Sequence, residues 1–169
     1  MKELEMYSQL LDRLQQRFLS TLDQMTVEEA NTMPQPLIKS VTWLIWHSAR
    51  ILDLQFSPLL GIEPLYFSED WEGRFDFGLP RETLEGNQSS EEAAQITVSD
   101  KQVLADYLQE SVTLAKDYLI ALDEKQLTTT VNTRWSSDVP LSVWITAIVD
   151  DVAMHAGQAV YTRRLVIGK

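Results

Sequence analysis

Two histidines and an aspartate are the residues of this chain whose types and spacing could do chemistry. His47 and His155 are its only histidines, and each lies inside a long apolar stretch with helical spacing. Asp151 precedes His155 by one helical turn, so both side chains project from one helix face. Burying such groups costs several kcal/mol unless they are hydrogen-bonded, ion-paired or bound to a metal. If the two helices are neighbours, the three groups form a site for Fe, Mn, Ni or Zn with open coordination positions.

A structural role for the same residues is the alternative. An aspartate one turn before a histidine is common in helices as a local pair, and a single buried histidine is commonly a hydrogen-bonded core residue. The interruption of an otherwise apolar helix by Asp150, Asp151 and His155 favours the metal site. Asp150 points about 100° away from Asp151, which predicts a surface position or one that orients a ligand. Trp43, one turn before His47, is expected to wall the pocket.

The composition limits both the chemistry and the partners. The chain has no cysteine, so any metal must be held by nitrogen and oxygen ligands. A formal net charge of -11 disfavours nucleic acid and anionic membranes, which attract Lys and Arg. The sequence has no signal-peptide pattern and no membrane-spanning run. We therefore expect a soluble cytoplasmic protein that forms one domain over residues 1–169.

Four long helical segments must position the candidate ligands. Each one carries apolar residues at steps of three and four, and each is bounded by capping residues, prolines or glycines. The predicted segments are residues 2–24; the run after the N-cap Ser40, which Pro58 and Gly61 end; the run from a capping box of Ser99 and Gln102 to about residue 123; and the run from Pro140 to Gly168. The tryptophans are predicted to fill the core or cap it, and they are Trp43, Trp46, Trp71, Trp135 and Trp144.

A long connection joins the second and third helices. Residues 61–98 follow no helical or strand period, but they include five aromatic residues, which argue against disorder. We predict an ordered crossover that lies over one end of the bundle and covers an aromatic substrate pocket. Short links favour antiparallel neighbours, and a long link permits two parallel helices. The sequence therefore predicts an all-α four-helix bundle in up-down-down-up order.

Two segments of the chain resemble the DinB-like family of damage-inducible bacterial proteins. The second helix reads SVTWLIWHSARILD after a proline-rich approach, and the fourth helix contains HAGQAVYTRR. The resemblance implies a homodimeric four-helix bundle with a divalent metal ion held by three histidines. The first and last ligands correspond to His47 and His155, the latter in a context with Gly157 and Gln158. The middle ligand corresponds to Asp151, where this sequence departs from the family pattern.

The family also includes bacillithiol transferases and the mycothiol-dependent maleylpyruvate isomerase. The resemblance thus implies a metal-dependent transferase or isomerase that acts on a small-molecule substrate with a low-molecular-weight thiol. The carboxylate of Asp151 would either keep a metal with an altered preference or mark a member that has lost it. In the second case the chain is a non-catalytic, stress-related binding protein or a structural dimer module.

Overall fold

The computed structural model of the chain describes residues 3–80, 87–132 and 138–169. Four long and four short α-helices account for most of them. In chain order they are α1 (Glu3–Asp23), α2 (Val27–Asn31), α3 (Val41–Leu60), α4 (Leu65–Ser68), α5 (Trp71–Phe75), α6 (Ser90–Ala94), α7 (Lys101–Ala121) and α8 (Leu141–Ile167). A 3-10 helix (Glu124–Thr128) and an antiparallel pair of two-residue strands, β1 (Thr130–Val131) and β2 (Val139–Pro140), lie between α7 and α8. The predicted all-α class is confirmed, and no helix of the described segments could cross a membrane.

The ends of the long helices follow local capping chemistry. The hydroxyl of Ser40 accepts a hydrogen bond from the backbone nitrogen of Trp43 (3.0 Å), which confirms it as the N-cap of α3. Gly61 ends α3 in a left-handed conformation (φ 71°), whereas Pro58 lies inside the helix and does not end it. The predicted cap at Ser99 is wrong because Asp100 caps α7 instead, through its carboxylate and the backbone nitrogen of Gln102.

Contacts along the helices establish their directions. The side-chain amides of Gln15 and Gln109 bond to each other midway along α1 and α7. Lys101, at the start of α7, donates to the backbone carbonyls of Leu22 and Met25 at the end of α1. The helices α1 and α7 are therefore antiparallel.

The helix α8 runs parallel to α1 and antiparallel to α3. Tyr7 and Thr146, each near the start of its helix, share a hydrogen bond of 2.6 Å. Trp43, near the start of α3, contacts the ring of His155 in the second half of α8. Together with the antiparallel pair of α1 and α7, these contacts confirm the up-down-down-up order.

The neighbour relations differ in one respect from the prediction. The helices α3 and α7 are parallel neighbours, as the long link permits, and they meet at Tyr107 with Asp53 and at Phe56 with Tyr118. The main contacts between long helices join α1 to α7 and α8, and α3 to the same two helices. The helices joined by short links therefore lie across the diagonals of the bundle and are not packed neighbours.

The core fills the space between these four helices. Trp43, Trp46, Trp71 and Trp144 are buried as predicted, whereas Trp135 lies outside the described residues. The largest fully buried aliphatic and aromatic side chains come from every long helix except α8, and they include Leu11, Leu14, Phe18, Trp46, Leu52, Phe56, Leu104 and Tyr107. Apolar residues of α8 such as Ile145 and Val152 complete the core with 1% exposure each.

The sequence predicts a crossover that lies over one end of the bundle. The described part of the crossover instead packs along the side of the bundle. Trp71 is fully buried, and its ring nitrogen donates to Glu110, halfway along α7. Phe77 makes an edge contact with Trp46, in the second turn of α3. Because these partners belong to α7 and α3 and lie along the helices, the described part of the crossover covers the side formed by α3 and α7.

Asp53 attaches the start of the crossover to the bundle. Its fully buried carboxylate accepts hydrogen bonds of 2.7 to 2.9 Å from the Ser57 hydroxyl, the backbone nitrogens of Leu65 and Tyr66, and the Tyr107 hydroxyl. The two backbone donors belong to the first turn of α4, so one side chain connects α3, α4 and α7.

Candidate metal centre

The three candidate ligands meet between α3 and α8. The antiparallel contact of these helices brings His47 of α3 opposite Asp151 and His155 of α8. The Oδ2 atom of Asp151 lies 3.5 Å from Nε2 of His155 and 3.8 Å from Nε2 of His47. One ligand atom from each of the three residues lies within 4.8 Å of the other two, so the group could hold a metal ion.

One oxygen of the Asp151 carboxylate, Oδ2, is buried and has no hydrogen-bond partner among the described residues. The two distances to the imidazole nitrogens exceed those of ordinary hydrogen bonds. Atoms that share an ion at about 2.1 Å each lie roughly 3 to 4 Å apart. The arrangement of Oδ2 between two Nε2 atoms therefore fits a divalent cation better than it fits a hydrogen-bonded core pair.

Gln158 orients the second histidine. Its side-chain oxygen accepts a hydrogen bond of 2.7 Å from Nδ1 of His155. With the proton on Nδ1, the lone pair of Nε2 faces Asp151 and is free to bind a cation. Gln158 belongs to the motif HAGQ and lies three residues after His155. This spacing alone could have predicted that the Gln158 side-chain oxygen accepts a hydrogen bond from His155.

Trp43 walls the site, as predicted. Its ring stacks on His47 with a centroid separation of 4.5 Å, and it meets His155 edge-on at 6.0 Å. The two imidazole rings are 4.8 Å apart and nearly perpendicular. The ring nitrogen of Trp43 donates to the side chain of Gln88 in the crossover (2.7 Å), which ties the crossover to this wall.

The surroundings keep His47 neutral. The pKa of His47 is lowered to about 3, first by burial and then by the positive charges of His155, Arg50 and Lys39, in that order of importance. A neutral imidazole is the form that binds metal ions. The electrostatics of the site therefore favour a ligand and oppose an imidazolium ion at position 47.

The carboxyl group of Asp151 experiences competing influences. Burial raises its pKa, the nearby His155 opposes that rise, and the carboxylate of Asp150 adds to it. Asp150 itself is exposed on the surface of α8, which agrees with the first of its two predicted positions. A partly buried carboxylate next to an exposed one is held at a cost in free energy that a cation would offset.

A cavity of about 620 Å³ adjoins the site on the His155 side. It is lined by the segment before α3, by the first turn of α3 and by the second half of α8, through Leu37, Ile38, Lys39, Trp43, Leu44, His155, Gly157, Gln158, Tyr161 and Thr162. The described crossover residues do not line it. This cavity is therefore not the predicted pocket under the crossover. A separate cavity of about 230 Å³ does lie against the crossover, and its lining includes Arg50, Tyr66 and Phe77.

Taken together, the fold and the site define a four-helix bundle with a candidate metal centre of two histidines and one aspartate. The model of the DinB superfamily matches residues 10–159. The chain therefore belongs to the DinB superfamily. It is also similar to a solved structure described as the conserved protein of locus from Enterococcus faecalis, with 52% identity and a TM-score of 0.94 over 100% of this chain and 99% of that one. A comparison with curated proteins finds no match.

Proposed function

We propose that this protein is a metal-dependent enzyme that binds a divalent ion through His47, Asp151 and His155. The observation that carries the proposal is the buried Oδ2 atom of Asp151, which lacks a hydrogen-bond donor and lies between two imidazole nitrogens. Two nitrogen ligands and one oxygen ligand suit Fe, Mn, Ni or Zn. Three protein ligands leave coordination positions for a substrate, as in catalytic metal sites.

The reaction class that we propose is transfer or isomerisation with a low-molecular-weight thiol. A bound divalent cation would lower the pKa of a thiol at this site and so supply a thiolate nucleophile at neutral pH. Membership of the DinB superfamily and the resemblance to its thiol-using members support this class. The chain has no cysteine that could serve as the nucleophile itself.

The protein's own residues contribute orientation and exclusion of water. Gln158 holds the tautomer of His155 that directs Nε2 towards the site. Trp43 covers one face of His47 and limits the access of water from that side. His47 stays neutral because burial disfavours its charged form, so it does not compete with the cation by binding a proton.

The first experiment is metal analysis of untagged protein, with Asp151→Ala as the test variant. We expect near-stoichiometric metal in the wild type and a loss of affinity of roughly 100-fold or more in Asp151→Ala, because two histidines alone form a weak site. Asp150→Ala is the matched control: it removes an adjacent, exposed carboxylate and should keep the metal. Affinity of Asp151→Ala equal to that of the wild type would contradict the mixed ligand set.

A second variant examines the departure from the three-histidine pattern. Asp151→His should retain the metal and shift the preference towards softer ions such as Ni and Zn, because an imidazole replaces a carboxylate. Titration with Zn, Ni and Mn can be followed by the emission of Trp43, which stacks on His47. If neither the wild type nor Asp151→His binds metal, the alternative of a non-catalytic binding or dimer module is supported.

A further inference from the structure

Lys39 is a cation at the mouth of the candidate metal centre that forms no ion pair with the described residues. Its side chain is half-buried and lines the cavity next to His155. The ammonium nitrogen lies 5.1 Å from the ring centroid of Trp43 and has no hydrogen bond or ion pair with the described residues. The backbone of Lys39 is held in place because Thr162 donates a hydrogen bond to its carbonyl oxygen (3.3 Å).

The absence of acids from the described lining is unusual for so acidic a protein. The chain has 25 Asp and Glu residues against 14 Lys and Arg residues, yet none of the residues that line this cavity is acidic. The positive charge of Lys39 reaches the metal centre, since it contributes to the lowered pKa of His47. Burial also lowers the pKa of Lys39 itself. This ammonium would therefore gain from an anionic partner.

With a divalent cation bound, the charges of the site would favour a ligand that carries two negative groups. A divalent cation with the single carboxylate of Asp151 keeps one positive charge, which a thiolate would neutralise. Lys39 then leaves a second positive charge in the same cavity. A carboxylate on the ligand would neutralise it through a charge-assisted hydrogen bond.

Gly157 keeps the floor of this cavity open. It lies inside α8, where glycine is intrinsically less favourable than alanine. A Cβ atom at this position would meet nothing within 4 Å, so packing within the protein does not require glycine here. Apolar groups of Leu44 and Tyr161 line the remaining walls. The volume of about 620 Å³ is in the range of small-molecule sites.

We infer that Lys39 selects the ligand: the cavity binds a small thiol that carries a carboxylate, with the carboxylate on the Lys39 ammonium and the sulfur towards His155. This inference rests on the proposed function for the position of the sulfur. The carboxylate site itself depends only on Lys39 and the cavity. Lys39 is thus a specificity-determining residue and not a metal ligand.

The test compares two thiols of equal length on metal-loaded protein. The probes are 3-mercaptopropionate and 3-mercapto-1-propanol, and their dissociation constants are measured by titration calorimetry in the wild type, Lys39→Met and Lys39→Arg. We expect the wild type to prefer the carboxylate about tenfold. Lys39→Met should lose this preference without weaker binding of the alcohol, and Lys39→Arg should keep it. Equal affinities in the wild type, or an unchanged preference in Lys39→Met, would overturn the inference.

Two further measurements separate this inference from the proposed function. In metal-free protein, 4-phenylbutyrate and 4-phenylbutanol can be compared through tryptophan emission. If the metal-free protein prefers the carboxylate and this preference depends on Lys39, the anion site is supported even if no metal binds. If neither the metal-loaded nor the metal-free protein prefers the carboxylate, the inference is overturned. Gly157→Leu should fill the cavity and abolish binding of both thiols while the metal content stays unchanged. Unchanged thiol binding in that variant would show that the ligand lies elsewhere.

Discussion

Asp53 and Asp151 each place carboxylate oxygen inside this bundle, but their hydrogen bonding is opposite. The carboxylate of Asp53 accepts four hydrogen bonds from uncharged donors, so its charge is well solvated by the protein. The Asp151 side chain is 35% exposed, yet its Oδ2 atom is buried without a donor. Because an unsatisfied carboxylate is unfavourable in a folded protein, only Asp151 has a reason to attract a cation.

The lowered pKa of His47 predicts how the stability of the metal-free protein depends on pH. Its pKa is about 3 in the folded state, against the ordinary histidine value of 6.5 that applies to the unfolded chain. Between these values the unfolded state binds a proton that the folded state excludes, so the free energy of unfolding falls as the pH falls from about 6.5 towards 3. The slope from this residue is on the order of 1 kcal/mol per pH unit.

Urea unfolding over this pH range, with a chelator present, measures the effect. His47→Gln should show a flatter profile than the wild type because glutamine does not titrate. The pKa of Asp151 is raised, so this group favours the folded state at low pH and partly offsets the trend in both proteins. Parallel profiles for the wild type and His47→Gln would contradict the lowered pKa.

At the scale of elements, the first turn of the crossover helix α4 depends on a contact with the bundle, because it has no capping signal of its own. The helix α4 has no side-chain cap at Pro64, and the backbone nitrogens of its first turn donate to Asp53. Trp71 and Phe75 of α5 then pack on Tyr107 of α7. The short helices α4 and α5 are thus positioned by contacts with the long helices α3 and α7.

We therefore expect the backbone amides of the crossover to be protected from hydrogen exchange. The variant Asp53→Asn should reduce this protection. Hydrogen exchange of the wild type should show slow exchange around residues 71–77. In Asp53→Asn, the amide nitrogen cannot accept the bonds that one carboxylate oxygen accepts, so the protein should lose about 1 to 3 kcal/mol of stability and exchange faster in α4 and α5. Complete exchange of residues 71–77 in the wild type at the earliest time would show a flexible tether instead.

The elements that the sequence predicts well are those with local causes. The N-cap Ser40 and the C-cap Gly61 are confirmed because their contacts lie within one helical turn. Ser99 has a side chain suited to capping, but Asp100 directly precedes α7. Its carboxylate accepts the hydrogen bond from the backbone nitrogen of Gln102. The proximity of His47 to Asp151 could be predicted from their depth in two helices. The cavity beside Lys39 could not, because its walls come from distant segments.

At the scale of the whole molecule, an apolar stripe on α8 remains exposed. Val143, Met154, Tyr161 and Leu165 recur at helical spacing on an exposed side of α8. This side also carries the exposed Asp150, and it adjoins the cavity through Tyr161. Exposed stripes of this kind commonly mark interfaces, and the family resemblance implies a homodimer. We expect two copies of the chain to associate through this stripe.

Light scattering at micromolar concentration tests the homodimer. The wild type should have twice the 19.4 kDa mass of the chain, and the double variant Val143→Glu, Met154→Glu should be monomeric because charges would be buried in the interface. Ile120→Glu is the control: this residue is 70% exposed on α7, away from the stripe, and the change should leave the mass unchanged. A monomeric wild type would exclude the dimer.

The diagonal placement of the helices joined by short links bears on the order in which the chain can fold. The helix α1 packs on α7 and α8, which are synthesised only after the crossover, and Gln15 meets Gln109 across a sequence separation of 94 residues. Closing such long loops is entropically costly and slows folding. A nascent chain that ends within the crossover therefore exposes the apolar faces of α1 and α3 without the helices that later cover them, and we expect any need for chaperones to be greatest at this stage of synthesis.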